Sequence, residues 1–180
     1  ISSKLRFVLQ DFNYIKIDLV RGKDFWRITN VIKTNQFENL LKYPATLKIF
    51  VNISNLLKRL LAGEESNEVL FNDLLNGFSS LEKIAQREIQ GVLLKIGKSD
   101  LSVLGKSDLP IQQLQSPSLV PQDIEIIIVL RILDNLGYIG NDKMLEGLIK
   151  SPIEEILFEI PLNKNKIFSQ INKILKETHL

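Results

Sequence analysis

The amino-acid sequence predicts a mainly α-helical protein with a small β part, and two patterns support this fold class. Residues 12–31 alternate apolar and polar side chains with a period of two, which is typical of paired strands. From Pro44 onward the apolar residues recur at helical spacing. We therefore expect residues 1–42 to carry the strands and residues 43–180 to form a helical domain with a loop-rich insertion at about 85–121.

Composition limits the classes of function that the chain can have. Hydrophobic residues make up 44% of the 180 residues, which is ample for a folded core, and the formal net charge is +2. Residues 1–43 hold eight basic and four acidic side chains, which suggests an anionic partner there, although a solvated strand surface fits equally well. The chain has no cysteine, which excludes disulfides, cysteine-ligated zinc and thiol catalysis and is consistent with a reducing cytoplasm. The opening ISSKLRF shows neither a signal peptide nor an initiating Met, so we expect the first residues of the natural protein to be missing.

The segment DIEIIIVLRILDNLGYIG, which begins at Asp123, is predicted to be the central helix of the helical domain. Its helical wheel is apolar almost all round, which indicates a helix buried inside a core rather than lying on one. Polar side chains collect on one side of the wheel, at Asp123, Arg131, Asp134 and Asn135. The segment is too short, and too interrupted by charge, to cross a membrane. Gly137 follows the last periodic residue and predicts the end of the helix.

Arg131 is the most informative charge in this helix, and two interpretations are open. In the first, which we favour, it pairs with Asp134 about one turn later on an exposed stripe. In the second, it lies at the edge of an apolar groove and binds a carboxylate of a partner protein.

Two antiparallel helices are predicted ahead of the central one. The first begins at Pro44 and ends at Gly63, and either Ser66 or Asn67 caps the second. The inner face of the second helix is predicted to comprise Leu70, Phe71, Leu74, Leu75, Phe78 and Leu81. Gly77 lies within the second helix, where glycine is unfavourable, and close packing against another helix is the expected reason.

The remaining segments are less regular. Residues 85–121 are predicted to be a long surface connection, in which residues 89–96 fit either a helical turn or a short strand. Asn141 is expected to cap a short helix, and the capping box SPIE, which begins at Ser151, predicts the start of another. A last helix is predicted to begin at Asn163.

No constellation of residues predicts catalysis. The repeat GKSDL begins at Gly97 and again at Gly105, but a phosphate-binding loop needs a glycine five residues earlier. Those positions are Val92 and Asp100, so nucleotide hydrolysis is not expected. His179, the single histidine, lies one residue from the C-terminus, where a general base is poorly positioned. We expect no enzyme, no metal site and no cofactor.

The turn between the two predicted strands combines aromatic and basic residues. It reads RGKD, and its glycine is expected to adopt dihedral angles that other residues avoid. Phe25 and Trp26 lie beside Arg21, Lys23 and Arg27. Aromatic rings that alternate with cations are typical of proteins that bind single-stranded nucleic acid, because the rings stack on bases and the cations contact phosphates. Trp26 fits the hydrophobic core equally well, and for that residue we favour the core.

Three stretches, taken in order, resemble the DNA recombination and repair protein family RecO. The first is LQDFNYIKIDLVRGKDFWRITNV, which is similar to the closing strands of the family's OB-fold. The second is LLKRLLAGEESNEVLFNDLLNGFSSL, similar to a helix–PGE–helix join, with Ala62 in place of the usual proline. The third is IEIIIVLRILDNLGYIG, similar to the central helix of the family, and the tail INKILKETHL resembles that of some members.

The resemblance implies a helical domain preceded by the last strands of an OB-fold, and a non-enzymatic recombination mediator. Such a mediator binds single- and double-stranded DNA, engages single-strand-binding protein and RecR, anneals strands and helps to load RecA. Many members carry a four-cysteine zinc site after Leu-Gly-Tyr, whereas this chain has no cysteine, so zinc is not expected.

Two sets of contacts follow as hypotheses. Phosphate contacts are assigned to Lys4, Arg6, Arg21, Lys23 and Arg27. Arg131 is assigned to the acidic, aromatic-ended tail of single-strand-binding protein. The alternative function is a helical scaffold that binds proteins and has no affinity for nucleic acid.

Overall fold

A computed structural model describes residues 9, 14–34, 36–61, 63, 66–99, 120–140, 142–156 and 159–177. Its elements are β1 Ile15–Arg21, β2 Trp26–Lys33, α1 Glu38–Lys42, α2 Pro44–Leu60, α3 Glu68–Ser99, α4 Pro121–Asn135, α5 Lys143–Lys150, α6 Ile153–Ile156 and α7 Ile160–Glu177. The predicted class, mainly helical with a small β part, is therefore confirmed. The sheet of the described residues has two strands, so an OB-fold remains a prediction.

The two strands form the predicted antiparallel hairpin. Ile17 lies opposite Val31 and Asp18 lies opposite Asn30 in the register. Beyond this point Leu19 lies opposite Ile28, so β2 contains one extra residue and a β-bulge. Most side chains of both strands are exposed, because among the described elements the strands pair mainly with each other and meet the helices at the end that carries Tyr14.

The central helix of the core is α4, as its sequence predicts. Ile124, Ile127 and Leu133 have no solvent exposure, and residues on nearly every side of the helix are buried. Helices α2, α3, α5 and α7 each contact α4, which explains why an all-round apolar sequence is stable there. Burial of each large aliphatic side chain stabilises the fold by about 1.5–3 kcal/mol relative to exposure.

The end of α4 and its closest helix contact both depend on glycine. Gly137 has a φ angle of +77°, and its N–H donates to Asp134 O at 2.8 Å. Tyr138 N donates to Leu133 O at 2.8 Å, which completes the hydrogen bonding of a Schellman motif and confirms the predicted end. On α3, a Cβ atom at Gly77 would overlap Ile128 of α4, so the close packing predicted for this glycine is also confirmed.

The predicted surface connection at 85–121 needs correction, because residues 85–99 belong to α3. Leu81, Ile84 and Ala85 are buried at helical spacing, so the helix continues into the segment where sequence patterns become irregular and runs to Ser99. Residues 100–119, with the second GKSDL copy, lie outside the described residues.

Four helix boundaries can be compared with their predictions. Pro44 is the first residue of α2, as predicted, although the helix ends at Leu60 rather than Gly63. Asn67 Oδ1 accepts from Leu70 N at 2.9 Å, which selects Asn67 as the cap of α3. The SPIE box does precede a helix, the four-residue α6.

Two C-terminal boundaries differ from prediction. The cap of α5 is Asp142, whose carboxylate accepts from Met144 N at 2.9 Å, and Asn141 lies outside the described residues. Helix α7 begins at Ile160, earlier than the predicted Asn163. Within the described part of the chain, no helix combines the length and apolar character needed to cross a bilayer.

Candidate nucleic-acid interface

The tip of the hairpin brings together the aromatic and basic residues that the sequence singles out. Arg21 and Trp26 face each other as the last pair of the ladder, and the guanidinium carbon of Arg21 lies 5.7 Å from the centre of the indole ring. The guanidinium carbon of Arg27 lies 5.2 Å from the centre of the Phe25 ring. Each ring at the tip therefore has a cation over its face.

Both rings are exposed to solvent. Trp26 is 51% exposed and Phe25 is 60% exposed, so the assignment of Trp26 to the hydrophobic core is wrong. The physical reason is distance along the hairpin: β2 begins at Trp26, far from the end where the hairpin meets the helices. Large aromatic side chains left in water at a strand end provide flat surfaces that can stack on other rings.

Gly22 fixes the shape of the turn for a steric reason. Its φ angle is not in the positive range, so the expectation of unusual dihedral angles is wrong. A Cβ atom at Gly22 would instead lie 2.8 Å from the carbonyl oxygen of Phe25, to which Gly22 N donates at 2.9 Å. The turn requires glycine because the two backbones approach closely.

The basic residues assigned to phosphate contacts fall into two groups. Arg21, Lys23 and Arg27 are all exposed and all lie at the tip, within seven consecutive positions of the chain. Lys4 and Arg6 lie outside the described residues. The tip alone thus combines three cations with two stacking surfaces, which is the chemistry that single-stranded nucleic acid requires.

An aromatic chain joins the base of the hairpin to the helices. The rings of Tyr14 and Phe37 meet edge to face at 5.0 Å between centres, and Phe37 meets Phe78 of α3 at 6.2 Å. Phe78 in turn lies 4.8 Å from Phe50 of α2. Edge-to-face contacts each add about 0.5–1.5 kcal/mol beyond burial. They anchor the hairpin at the end opposite its tip.

This junction also contains an apolar groove that sequence patterns alone did not identify. The groove has a cavity of about 180 Å³ and is lined by Tyr14, Phe37, Leu41, Phe50, Phe71, Leu74, Leu75 and Phe78. Phe71 was expected on the inner face of its helix, yet it is 53% exposed. Lys33 and Lys42 lie in an adjoining depression that shares Tyr14 and Phe37 with the groove. The sequence feature that could have indicated this groove is a pair of aromatic residues, Tyr14 and Phe37, which flank the two strands.

Arg131, the residue assigned to a partner protein, is buried. It is 7% exposed, its Nη1 donates to Asp73 Oδ1 at 3.3 Å, and its Nη2 donates to Ser151 O at 2.7 Å. Asp73 also accepts from Asn135 Nδ2 at 2.9 Å. The expected pair with Asp134 on an exposed stripe is therefore wrong.

The role of Arg131 changes accordingly. It joins α4 to α3 and to the segment that follows α5, and these hydrogen bonds occupy two of its guanidinium nitrogens. A guanidinium held in this way is not presented to a partner. At the other end of the same face, Asp123 is 4% exposed and accepts from Lys164 Nζ of α7 at 3.0 Å. On the polar side of α4, Asp123, Arg131 and Asn135 thus make internal contacts, whereas Asp134 is exposed.

Comparison with known proteins gives no independent identification. The chain matches no protein-family model, no curated protein and no solved structure. Among the described residues, no cluster of three or more His, Cys, Asp or Glu side chains could hold a metal ion. The hairpin tip and the groove at its base are the features of the described chain that point to a function.

Proposed function

We propose that the chain is a non-catalytic protein that binds single-stranded DNA through the tip of its hairpin. Trp26 and Phe25 would stack on bases, while Arg21, Lys23 and Arg27 would contact phosphates. One observation carries the proposal: two exposed rings, each with a guanidinium over its face, lie at the end of a projecting hairpin. Hydration of an exposed aromatic ring is unfavourable. A nucleotide can remove this cost, because its base stacks on the ring and its phosphate contacts the neighbouring cation.

Trp26 makes the proposal directly measurable, because the chain contains one tryptophan. Tryptophan fluorescence, excited at wavelengths where the three tyrosines do not absorb, therefore reports on the tip alone. Titration with an unlabelled oligothymidylate should quench this fluorescence, since stacked bases quench indole. A second titration, in which the protein is added to labelled oligothymidylate and anisotropy is followed at several salt concentrations, should give an affinity that falls steeply with salt.

Substitutions at the tip distinguish the contribution of base stacking to DNA affinity from the contribution of phosphate contacts. Trp26→Ala should weaken binding by about 1–3 kcal/mol with little change in the salt slope. Replacing Arg21, Lys23 and Arg27 by glutamine should instead flatten the slope by up to about 0.7 for each contact removed. As a matched control, the same change at Lys48, Lys58 and Arg59, three exposed basic residues of α2, should leave the slope unchanged. Equal effects of the two triple variants would overturn the assignment to the tip.

The resemblance to the RecO family leads to a more specific proposal, in which the chain acts as a RecO-like recombination mediator. It would engage single-strand-binding protein and RecR, anneal complementary strands and aid RecA loading. The partner-binding part is better supported at the aromatic groove than at Arg131. An acidic, aromatic-ended peptide would place a ring among Phe50, Phe71 and Phe78 while a carboxylate approaches Lys33. Lys42, in the same depression, already pairs with Glu38 at 3.4 Å.

The groove can be tested separately from the tip. A labelled peptide with the tail sequence of single-strand-binding protein should bind the chain, and Phe71→Ala together with Lys33→Gln should weaken that binding at least tenfold. Phe168→Ala with Lys166→Gln, an exposed pair on α7, is the control. Loss of peptide binding in both double variants would remove the groove from the proposal.

A helical protein-binding scaffold is the second candidate, and the same groove favours it. The two functions differ in one observable. A scaffold would bind a protein partner through the groove, yet DNA would neither quench Trp26 nor show salt-dependent affinity.

A further inference from the structure

The outer edge of β1 presents backbone groups that no described residue pairs with. At one end of the hairpin, Thr34 N donates to Tyr14 O at 3.0 Å. At the other end, Gly22 N donates to Phe25 O at 2.9 Å. Even-numbered positions of β1 therefore turn their backbone groups toward β2, and odd-numbered positions turn theirs outward. The outward positions within the strand are Ile15, Ile17, Leu19 and Arg21.

The two edges of this hairpin are not equivalent. Strand β2 contains the bulge, with Thr29 as its extra residue between Ile28 and Asn30. A bulge twists an edge and interrupts further pairing, and it is a common protection of edge strands. Strand β1 has no such interruption over Ile15–Arg21 and carries no proline. Among the described strands, the edge suited to further pairing is therefore the edge of β1.

Strand β1 is also complementary to a second copy of itself. In an antiparallel pair with a two-fold axis at Ile17, Lys16 of one copy lies opposite Asp18 of the other. Ile15 then lies opposite Leu19, so apolar residues meet on one face and opposite charges meet on the other.

The other strand lacks this self-complementarity. A two-fold axis at Asn30 of β2 would place Arg27 opposite Lys33, which brings like charges together. The like charges and the bulge thus both disfavour pairing at the edge of β2.

We propose that β1 is an interface through which two copies of this chain form one continuous four-stranded antiparallel sheet. A two-stranded hairpin that projects into solvent is marginal by itself, and extension to four strands supplies pairing that the described elements do not. Ile17 and Leu19, which are 39% and 47% exposed in the single chain, gain cross-strand neighbours in the pair. This inference does not rest on DNA binding, because it is drawn from the edge of β1 and from the charges of Lys16 and Asp18, which are not among the tip residues assigned to DNA.

The charge pattern gives a test in which two defects cancel. Lys16→Asp places two Asp–Asp pairs in the dimer, and Asp18→Lys places two Lys–Lys pairs. Each variant of the full chain should have a dimer dissociation constant raised roughly tenfold or more in sedimentation equilibrium. An equimolar mixture of the two variants should dimerise again. In the mixed dimer, the chain with aspartate at both positions faces the chain with lysine at both, so every cross-strand pair again joins opposite charges.

Controls keep the test specific to this edge. Asp18 also accepts from Asn30 Nδ2 at 3.0 Å within the hairpin, so circular dichroism must show that the fold of each variant is retained. Lys48→Asp, an equal change of charge on the exposed side of α2, should not affect dimerisation.

Three results would overturn the proposal. The first is a chain that stays monomeric at all concentrations, which would assign the edge to another occupant, such as residues 1–13 of the same chain or a different protein. The second is a dimer insensitive to both single substitutions. The third is a mixture of variants that fails to dimerise.

Discussion

Gly77 of α3 lies directly against Ile128 of α4, and the side chain of Ile128 occupies the space that a Cβ atom at Gly77 would need. Ile128 is 1% exposed, so its side chain is buried within the core. This contact sets the distance between the two helices at the centre of the core. Among the helices of the described chain, α3 and α4 form the most extensive pair.

Gly77→Ala should destabilise the protein although alanine favours helix formation. The gain in helix propensity is about 1 kcal/mol, whereas overpacking a core of this kind costs about 1–3 kcal/mol. Gly91 is a matched control, because it lies in the same helix and a Cβ atom there would meet no atom within 4 Å. Urea unfolding followed by circular dichroism should show a lower midpoint for Gly77→Ala and an equal or higher one for Gly91→Ala. A higher midpoint in both variants would contradict the close contact.

Arg131→Ala should be strongly destabilising, since it leaves Asp73 without its cation and Ser151 O without a donor. Breaking a buried ion pair costs about 3–5 kcal/mol, and the partial exposure of Asp73 should reduce this to about 2–3 kcal/mol. Asp134→Ala tests the partner expected from sequence spacing, and its effect should stay within about 0.5 kcal/mol. If Asp134→Ala proved the more damaging of the two, the network described for α4 would be wrong.

Glu82 holds the short helix α1 against α3. Its carboxylate accepts from Leu40 N at 2.6 Å and from Asn39 Nδ2 at 2.7 Å. Glu82→Ala should cost about 1–3 kcal/mol, because Leu40 is fully buried and its N–H would lose its acceptor without access to water. Hydrogen exchange of the Leu40 amide should accelerate in this variant. Glu88→Ala, at an exposed glutamate nearly two turns later on the same helix, should not change that rate.

Gly22→Ala should impair the hairpin tip without affecting the helical core. The added methyl group would come within 2.8 Å of the Phe25 carbonyl oxygen, so the turn must open and move both rings. We expect affinity for oligothymidylate to fall several-fold while the melting temperature changes little, since the turn lies outside the core. Gly63→Ala, where a Cβ atom meets no atom within 4 Å, is the control. Unchanged DNA affinity in Gly22→Ala would indicate that the tip is not the binding site.

The sequence by itself determined the features that depend on near neighbours in the chain. The period of two predicted the hairpin, the all-round apolar wheel predicted the burial of α4, and Gly137 marked its end. Each of these is set by side chains within a few positions of one another, because strand alternation, helix periodicity and capping are local.

Tertiary structure decided what depends on elements distant in sequence. Arg131 binds Asp73, 58 positions away, instead of Asp134 in the next turn of its own helix, because α3 covers the polar side of α4. Trp26 is exposed because none of the described helices packs against the far end of the hairpin, which a pattern of alternating residues does not reveal. Periodicity states which side of an element is apolar, but burial, charge pairing and the shape of a groove are set by which element packs against that side.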